Sequence, residues 1–156
     1  MINQQTGRIN FNNITDINID KERMFWYKFF LLAIITIPIT CPLCHKGSVN
    51  LQNNQTINNP LIGRCSWNQC RKIIYLREKT FLSYFPRTPA SIIFKIIYLW
   101  LVDKDTASTI TTKINNQINN FHITKQHVLE ILNISLYYIT TYLKHVHKLD
   151  STAHIE

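Results

Sequence analysis

The chain has 156 residues, which is enough for one ordinary domain or two very small ones and excludes anything larger. Its 17 Lys and Arg residues outnumber its 9 Asp and Glu residues, and the resulting net charge of +8 favours a polyanionic partner. The charge is concentrated, because positions 40–102 carry eight basic residues against Glu78 alone.

The N-terminal residues 1–20 are polar and rich in Asn, without usable periodicity, so we expect a disordered arm. The chain then becomes apolar, and we expect residues 21–39 to form a buried helix, about 21–36, that ends before Pro38 and packs on the following segment. A membrane span is the alternative, but the apolar run from Phe29 to Ile39 is shorter than the about 20 residues that a span needs. A cleaved signal peptide fits poorly, because a long polar stretch precedes the run. We therefore expect no membrane partner and no secretion.

All cysteines of the chain lie in two short pairs, C-x₂-C at 41–44 and C-x₄-C at 65–70. Four thiolates that arrive as two knuckles joined by a longer loop are typical of a tetrahedral zinc site. We expect one structural Zn²⁺ in a zinc ribbon over residues 40–87, held by Cys41, Cys44, Cys65 and Cys70. The second knuckle departs from the commonest ribbon, in which both pairs are C-x₂-C.

Three other uses of these residues are open from the sequence. Two disulfides in a small secreted domain would also use four cysteines. A thioredoxin-like redox pair would use Cys41 and Cys44, although no βαβ pattern surrounds them. His45 could replace one cysteine as a ligand, but four cysteines already complete the set.

Within the ribbon we expect short strands at 48–51, 61–65 and 72–76, with the Asn-rich stretch 53–60 as a turn. Basic residues on a metal-clamped hairpin are suited to phosphate contacts. The predicted contacts of this kind are Arg64, Arg71, Lys72, Arg77 and Lys79. A merely solvated basic face is the alternative.

For residues 88–148 we expect a mainly α-helical region that contains a helix-turn-helix. Thr88 and Pro89 are typical of an N-cap and first helical position, and apolar residues at helical spacing continue to Leu101. A second helix is expected at about 105–117, and a third from Thr124 as N-cap to about His147. The first turn of a recognition helix usually reaches the bases, so we expect DNA contacts from the first turn of the third helix. Its residues are Lys125, Gln126 and His127. Residues 149–156 are expected to form a disordered tail. The predicted fold class is α+β.

Three runs of residues carry a resemblance to a known family. CPLC at 41–44, GRCSWNQCRKIIYLREKTFL at 63–82 and SIIFKIIYLW at 91–100 resemble the N-terminal region of Merlin-type (ISXO-like) cut-and-paste transposases. The family has an R-x-x-T-F segment after its last cysteine, which stands here at 77–81, and a Tyr-x-Trp helix, matched by Tyr98 and Trp100. The resemblance implies a zinc ribbon and a helix-turn-helix that bind the inverted-repeat ends of a transposon.

In that family an RNase-H-like catalytic domain with an acidic triad follows, whereas this sequence stops at Glu156. Two-metal strand transfer needs carboxylates that converge on a rigid scaffold. We therefore expect no catalytic residues in this chain and no enzymatic activity of its own. The expected partners are duplex DNA and either a full-length transposase or a second copy of this chain.

Two classes of function stay open from the sequence. The first is a DNA-binding module, a truncated or domesticated transposase fragment that would be nuclear in a eukaryote and otherwise cytoplasmic. The second is a protein-interaction module in which the basic charge is incidental. A membrane-anchored small protein and a remnant reading frame without function are more distant alternatives.

Overall fold

A three-stranded antiparallel sheet and four α-helices make up the described part of the chain in the computed structural model, which describes residues 11, 14–31 and 35–153. The order along the chain is α1 (Ile19–Leu31), β1 (Val49–Thr56), β2 (Asn59–Cys65), β3 (Ile73–Ile74), a 3₁₀ turn (Phe81–Tyr84), α2 (Ala90–Leu101), α3 (Ala107–Gln117) and α4 (Lys125–Ala153).

The predicted disordered arm is wrong for the part that the structure describes. Ile14 and Ile17 are buried, and the Asn120 side chain donates to the Ile17 carbonyl at 2.7 Å and accepts from its N–H at 2.8 Å. These contacts order the segment around Ile17 through a partner that is distant in the sequence, and its polar composition does not indicate such a partner. Residues 1–10, 12 and 13 lie outside the described residues.

The buried helix expected at about 21–36 is present as α1. Trp26 and Phe29 are fully buried, and the Phe29 ring lies 4.6 Å from the ring of Phe94 in α2. The predicted end at about residue 36 is too late, because residues 35 and 36 are not helical; positions 32–34 lie outside the described residues. No helix in the described ranges combines the length and the apolar character that crossing a membrane requires.

The hairpin is longer than its sequence indicates. The Asn-rich stretch 53–60, predicted as a turn, continues both strands, and the turn itself is only residues 57 and 58. Side chains hold this polar segment in place: Asn54 donates to the Asn59 carbonyl at 2.9 Å, and Arg23 of α1 donates to the Asn54 carbonyl at 2.6 Å. The third strand is shorter than expected, with two residues.

Threonines cap two of the three C-terminal helices, and the sequence predicts one of the two, Thr124. Thr106 accepts from the N–H of Thr109 at the start of α3, and Thr124 accepts from the N–H of His127 at the start of α4. Thr88 does not cap α2, because its hydroxyl bonds the His127 ring instead; Pro89 occupies the N-cap position and makes no side-chain cap bond.

The predicted C-terminal tail is also wrong in part, since α4 continues to Ala153. Neither Pro nor Gly interrupts the chain after His147, so nothing in the sequence ends the helix there. The two predicted regions, ribbon and helices, share one hydrophobic core. Leu61 and Cys65 of β2 belong to the same buried cluster as Ile92 of α2 and Ile131 of α4.

Arg77 is buried in this core, with 3% of its surface exposed. Its guanidinium donates to the carbonyls of Leu82 and Asn58, both at 3.0 Å, to that of Thr88 at 2.6 Å and to that of Phe85. Burial lowers the pKa of Arg77 to about 10, which leaves the group charged at neutral pH. The predicted phosphate contact by Arg77 is therefore wrong, because backbone carbonyls already take the guanidinium.

Glu22 of α1 is the acidic counterpart of this buried charge. Its carboxylate accepts from the N–H of Ser91 at 3.1 Å and from the Ser91 hydroxyl at 2.5 Å, which ties α1 to the first turn of α2. Burial raises the pKa of Glu22, and the hydrogen bonds from Ser91 and the charge of Arg77 oppose that rise.

Replacing Arg77 should destabilise the whole fold. Arg77→Met leaves buried carbonyls without donors, each at a cost of about 1–3 kcal/mol, so we expect the free energy of unfolding to fall by about 3 kcal/mol or more. Urea denaturation measures the change. Lys79→Met is the matched control, since Lys79 is exposed two positions away, and should change stability by no more than about 0.5 kcal/mol. Equal stability of the two variants would contradict the role given to Arg77.

The pH dependence of stability should report on Glu22. Because its pKa is raised from 4.5, the folded state binds more protons than the unfolded state as pH rises above 4.5, and the stability of the wild type falls in that window. Glu22→Gln cannot titrate. We expect the stability difference between variant and wild type to shift in favour of the variant as the pH rises above 4.5, measured by urea denaturation at a series of pH values. A difference that is constant, or that shifts the other way, would count against a buried carboxylate.

Candidate metal centre and basic surface

The two cysteine knuckles have the same backbone design. The N–H of His45 donates to the Cys41 carbonyl at 2.9 Å, and the N–H of Arg71 donates to the Trp67 carbonyl at 3.0 Å. Both donors follow the second cysteine of a knuckle, and both have left-handed backbones, with φ of 58° at His45 and 48° at Arg71. Each knuckle is thus a tight turn that closes directly after its second sulfur.

The four sulfurs converge, as the spacing predicts. Their Sγ atoms all lie within 4.8 Å of one another, with 4.0 Å between Cys41 and Cys70 and 3.5 Å between Cys44 and Cys65. Tetrahedral ligands at about 2.3 Å from one ion are about 3.8 Å apart, so the donor set fits a single four-coordinate metal. The cysteines are free thiols, and the disulfide alternative is wrong.

The environments of the sulfurs differ across the site. Hydrogen bonds from the backbone N–H groups of Gly47 and Lys46 lower the pKa of Cys44 to about 6. Burial raises the pKa of Cys65 to about 12. A buried thiol of this kind ionises when a cation stands beside it, and metal binding then releases its proton. The site is therefore suited to a cation that neutralises several thiolates at once.

Gly47 makes the convergence of the knuckles possible. A Cβ atom at this position would lie 2.4 Å from the Cys65 sulfur and 2.9 Å from the Trp67 backbone nitrogen, well inside contact distance. Only glycine leaves that space free. His45 is exposed and does not belong to the converging set, so the structure gives it no place as a ligand.

Of the predicted ribbon contacts, Arg71, Lys72 and Lys79 are exposed. Arg64 is partly used within the fold: its Nε donates to the Gln52 side chain at 2.9 Å and its Nη1 to the Arg71 carbonyl at 3.1 Å. It thereby supports the left-handed residue that closes the second knuckle.

Lys46 is a further basic residue of this surface and was not among the predicted contacts. Its Nζ lies 4.7 Å from the centre of the Trp67 ring, so a cation from the first knuckle is held against the second. The position of Lys46, two residues after Cys44, was the available signal.

The first turn of α4 presents two of its three predicted residues. Lys125 and Gln126 are exposed. His127 is engaged through both ring nitrogens, with Thr88 at 2.8 Å and Glu130 at 3.3 Å, and its ring stands edge-on to Phe85. His127 thus connects α4 to the segment before α2, and the structure leaves it no free ring nitrogen for a base.

The connection between α3 and α4 is fixed by one side chain. Asn115 donates to the Ile123 carbonyl at 2.9 Å and accepts from its N–H at 2.8 Å. This pair of bonds ties the C-terminal half of α3 to the segment directly before α4.

Comparison of the chain with protein-family models, with curated proteins and with solved structures gives no match.

We expect the wild-type protein, purified without chelator, to carry one metal ion per chain. The Gly47→Ala variant should carry none. The added methyl displaces the Cys65 sulfur from the set, and the loss is measured as metal content per chain. Leu43→Ala is the control, because Leu43 lies between the ligands of the first knuckle and is 55% exposed. It should keep its metal. Full metal content in Gly47→Ala would show that the close approach of position 47 to the Cys65 sulfur does not control metal binding.

Proposed function

We propose that the chain is a zinc-ribbon protein that binds duplex DNA, in the manner that the N-terminal region of Merlin-type transposases implies for transposon ends. The observation that carries the proposal is the convergence of Cys41, Cys44, Cys65 and Cys70 within 4.8 Å, with basic residues exposed at the second knuckle. A metal-clamped turn is a rigid base for cationic side chains, and rigid placement favours contacts with regularly spaced phosphates.

Zinc is the proposed ion. Four thiolates around one ion suit zinc or an iron–sulfur cluster, and two short knuckles on a β-hairpin are the usual frame of a structural zinc site. All four donors come from this chain, so no position is left open for a substrate. The ion would supply folding energy, and no chemistry on DNA is assigned to it.

Two groups of residues would divide the work on DNA. Arg71, Lys72 and Lys79 are exposed and take part in none of the ion pairs found among the described residues. They are suited to the phosphate backbone. Gln126 and Lys125, at the start of α4, are suited to base edges in the major groove, because Gln can bond adenine through two atoms.

The proposal assigns no strand transfer to this chain. Among the described residues, the four cysteines are the one group of three or more His, Cys, Asp or Glu side chains whose ligand atoms lie close enough to share an ion. The proposed role is therefore recognition of DNA, alone or alongside a catalytic chain.

A protein-interaction module is the second candidate, and one observation favours it. Three of the eight predicted DNA contacts are used inside the fold: Arg64 supports the Arg71 carbonyl, Arg77 is buried, and His127 bonds Thr88. Because fewer basic side chains remain free for phosphate contacts, the positive charge is a weaker argument for a nucleic-acid partner.

A salt titration of DNA affinity separates the two candidates. For the wild type, the logarithm of the affinity should fall steeply with the logarithm of salt concentration, because phosphate contacts release counterions. Lys72→Ala should weaken binding to any duplex and lower that slope by about 0.9. Lys28→Ala, on α1 and outside both groups, is the charge-matched control and should leave the slope unchanged.

The role of α4 needs a second comparison, between a preferred duplex selected from a random pool and an unrelated duplex. Gln126→Ala should cost about 1–3 kcal/mol on the first and little on the second. Equal losses on both would remove α4 as the reader of bases. Wild-type affinity that does not depend on salt would overturn DNA binding itself and leave the interaction module.

A further inference from the structure

The apolar stripe of α4 continues beyond the part of the helix that packs on the protein. Val128 and Ile131, near its N-terminus, are fully buried in the shared core. Further along, apolar residues recur with alternating spacings of four and three positions, which is the heptad pattern of paired helices. The residues of this repeat are Leu132, Leu136, Ile139, Leu143 and Val146.

The second half of this stripe, residues 136–146, is partly open: Leu136 and Leu143 are exposed, and Ile139 and Val146 are half-buried. Leu136 is 48% exposed, Leu143 58% and Tyr142, which flanks the repeat, 67%. An exposed helix normally carries charged residues on its solvent side. Residues 131–143 contain no Asp, Glu, Lys or Arg at all, in a chain of which 17% is charged.

We propose that residues 136–146 of α4 are the surface through which two copies of this chain pair. A heptad stripe is complementary to a second stripe of the same spacing, and α4 itself supplies that second stripe when two copies meet around a two-fold axis. The absence of charge also fits a second copy. Each chain carries a net charge of +8, and pairing through residues 136–143, which precede Lys144 and contain no charged side chain, keeps like-charge contacts at the end of the surface.

The available area sets the strength of the contact. An aromatic side chain can bury about 150–250 Å², so the exposed parts of Tyr142, Leu143 and Leu136 with their neighbours offer on the order of 400 Å² per copy. A standard interface buries about 800 Å² per partner. The stripe is also shorter than the three or four heptads of an independent coiled coil. The pairing is therefore reversible and depends on protein concentration. It does not depend on DNA binding or on the metal's identity.

Sedimentation equilibrium of the full chain tests the proposal. The wild type should rise with concentration from the monomer mass of 18.4 kDa towards twice that mass, up to about 100 µM protein. Leu143→Glu should weaken self-association by about tenfold or more, because it places a charge in the seam. Leu101→Glu is the control: Leu101 is 51% exposed at the end of α2, and its variant should pair like the wild type.

A second pair of variants on α4 guards against a folding defect. Tyr142 and Tyr137 are 67% and 65% exposed, but Tyr137 lies off the stripe. Tyr142→Lys should weaken pairing and Tyr137→Lys should not, with both retaining the helical circular dichroism of the wild type. The proposal would be overturned if the wild type stays monomeric or forms larger assemblies. It would also be overturned if the Tyr142→Lys and Leu143→Glu variants pair as well as the wild type. In those cases another partner, or another part of the chain, covers the stripe.

Discussion

The guanidinium of Arg77 connects three irregular parts of the chain at one point in the shared core. It donates to carbonyls in the hairpin turn, in the 3₁₀ turn and in the segment before α2. These carbonyls lie outside regular sheets and helices, where a buried acceptor must find a donor elsewhere. A buried charge is tolerated only when it is paired and hydrogen-bonded, and here the backbone carbonyls and Glu22 meet that requirement. The hairpin, α1 and α2 are consequently built around a single cation.

Because the cysteines and the helices share one core, metal binding and helix packing belong to the same folding equilibrium. Cys41 and Cys65 lie in the buried cluster that also contains Ile92 and Ile131. A metal bound by the four sulfurs would contribute its binding energy to folding, and in this architecture that contribution would reach the helices as well as the hairpin. A ribbon that folded on its own would confine the effect of metal to residues near the sulfurs.

The sequence allowed the metal centre and the helices to be predicted for clear physical reasons. Sulfur ligands need short spacers and a returning loop, and both can be read directly from cysteine positions. The helix start at Thr124 follows from local hydrogen bonding between neighbours in the chain. Each of these signals lies within a few residues of what it determines.

The errors have the opposite character, since each depends on a distant partner. Arg77 looks like a surface cation because the carbonyls that surround it come from positions 58 to 88. The Asn-rich stretch has low β propensity and remains extended because Arg23 and its own Asn54 side chain hold it. His127 has the sequence position of a base reader, but its ring bonds Thr88. Such roles are set by tertiary contacts that no periodicity reports.

The left-handed turn at Arg71 has a further meaning for recognition. Its carbonyl is held by Arg64 and its N–H by Trp67, so the backbone beneath this side chain is already ordered before any ligand arrives. Ordering a flexible residue costs about 1–2 kcal/mol of backbone entropy, and a loop that is fixed in advance avoids that loss on binding. If an anion binds Arg71, the entropy still to be lost is that of the side chain alone.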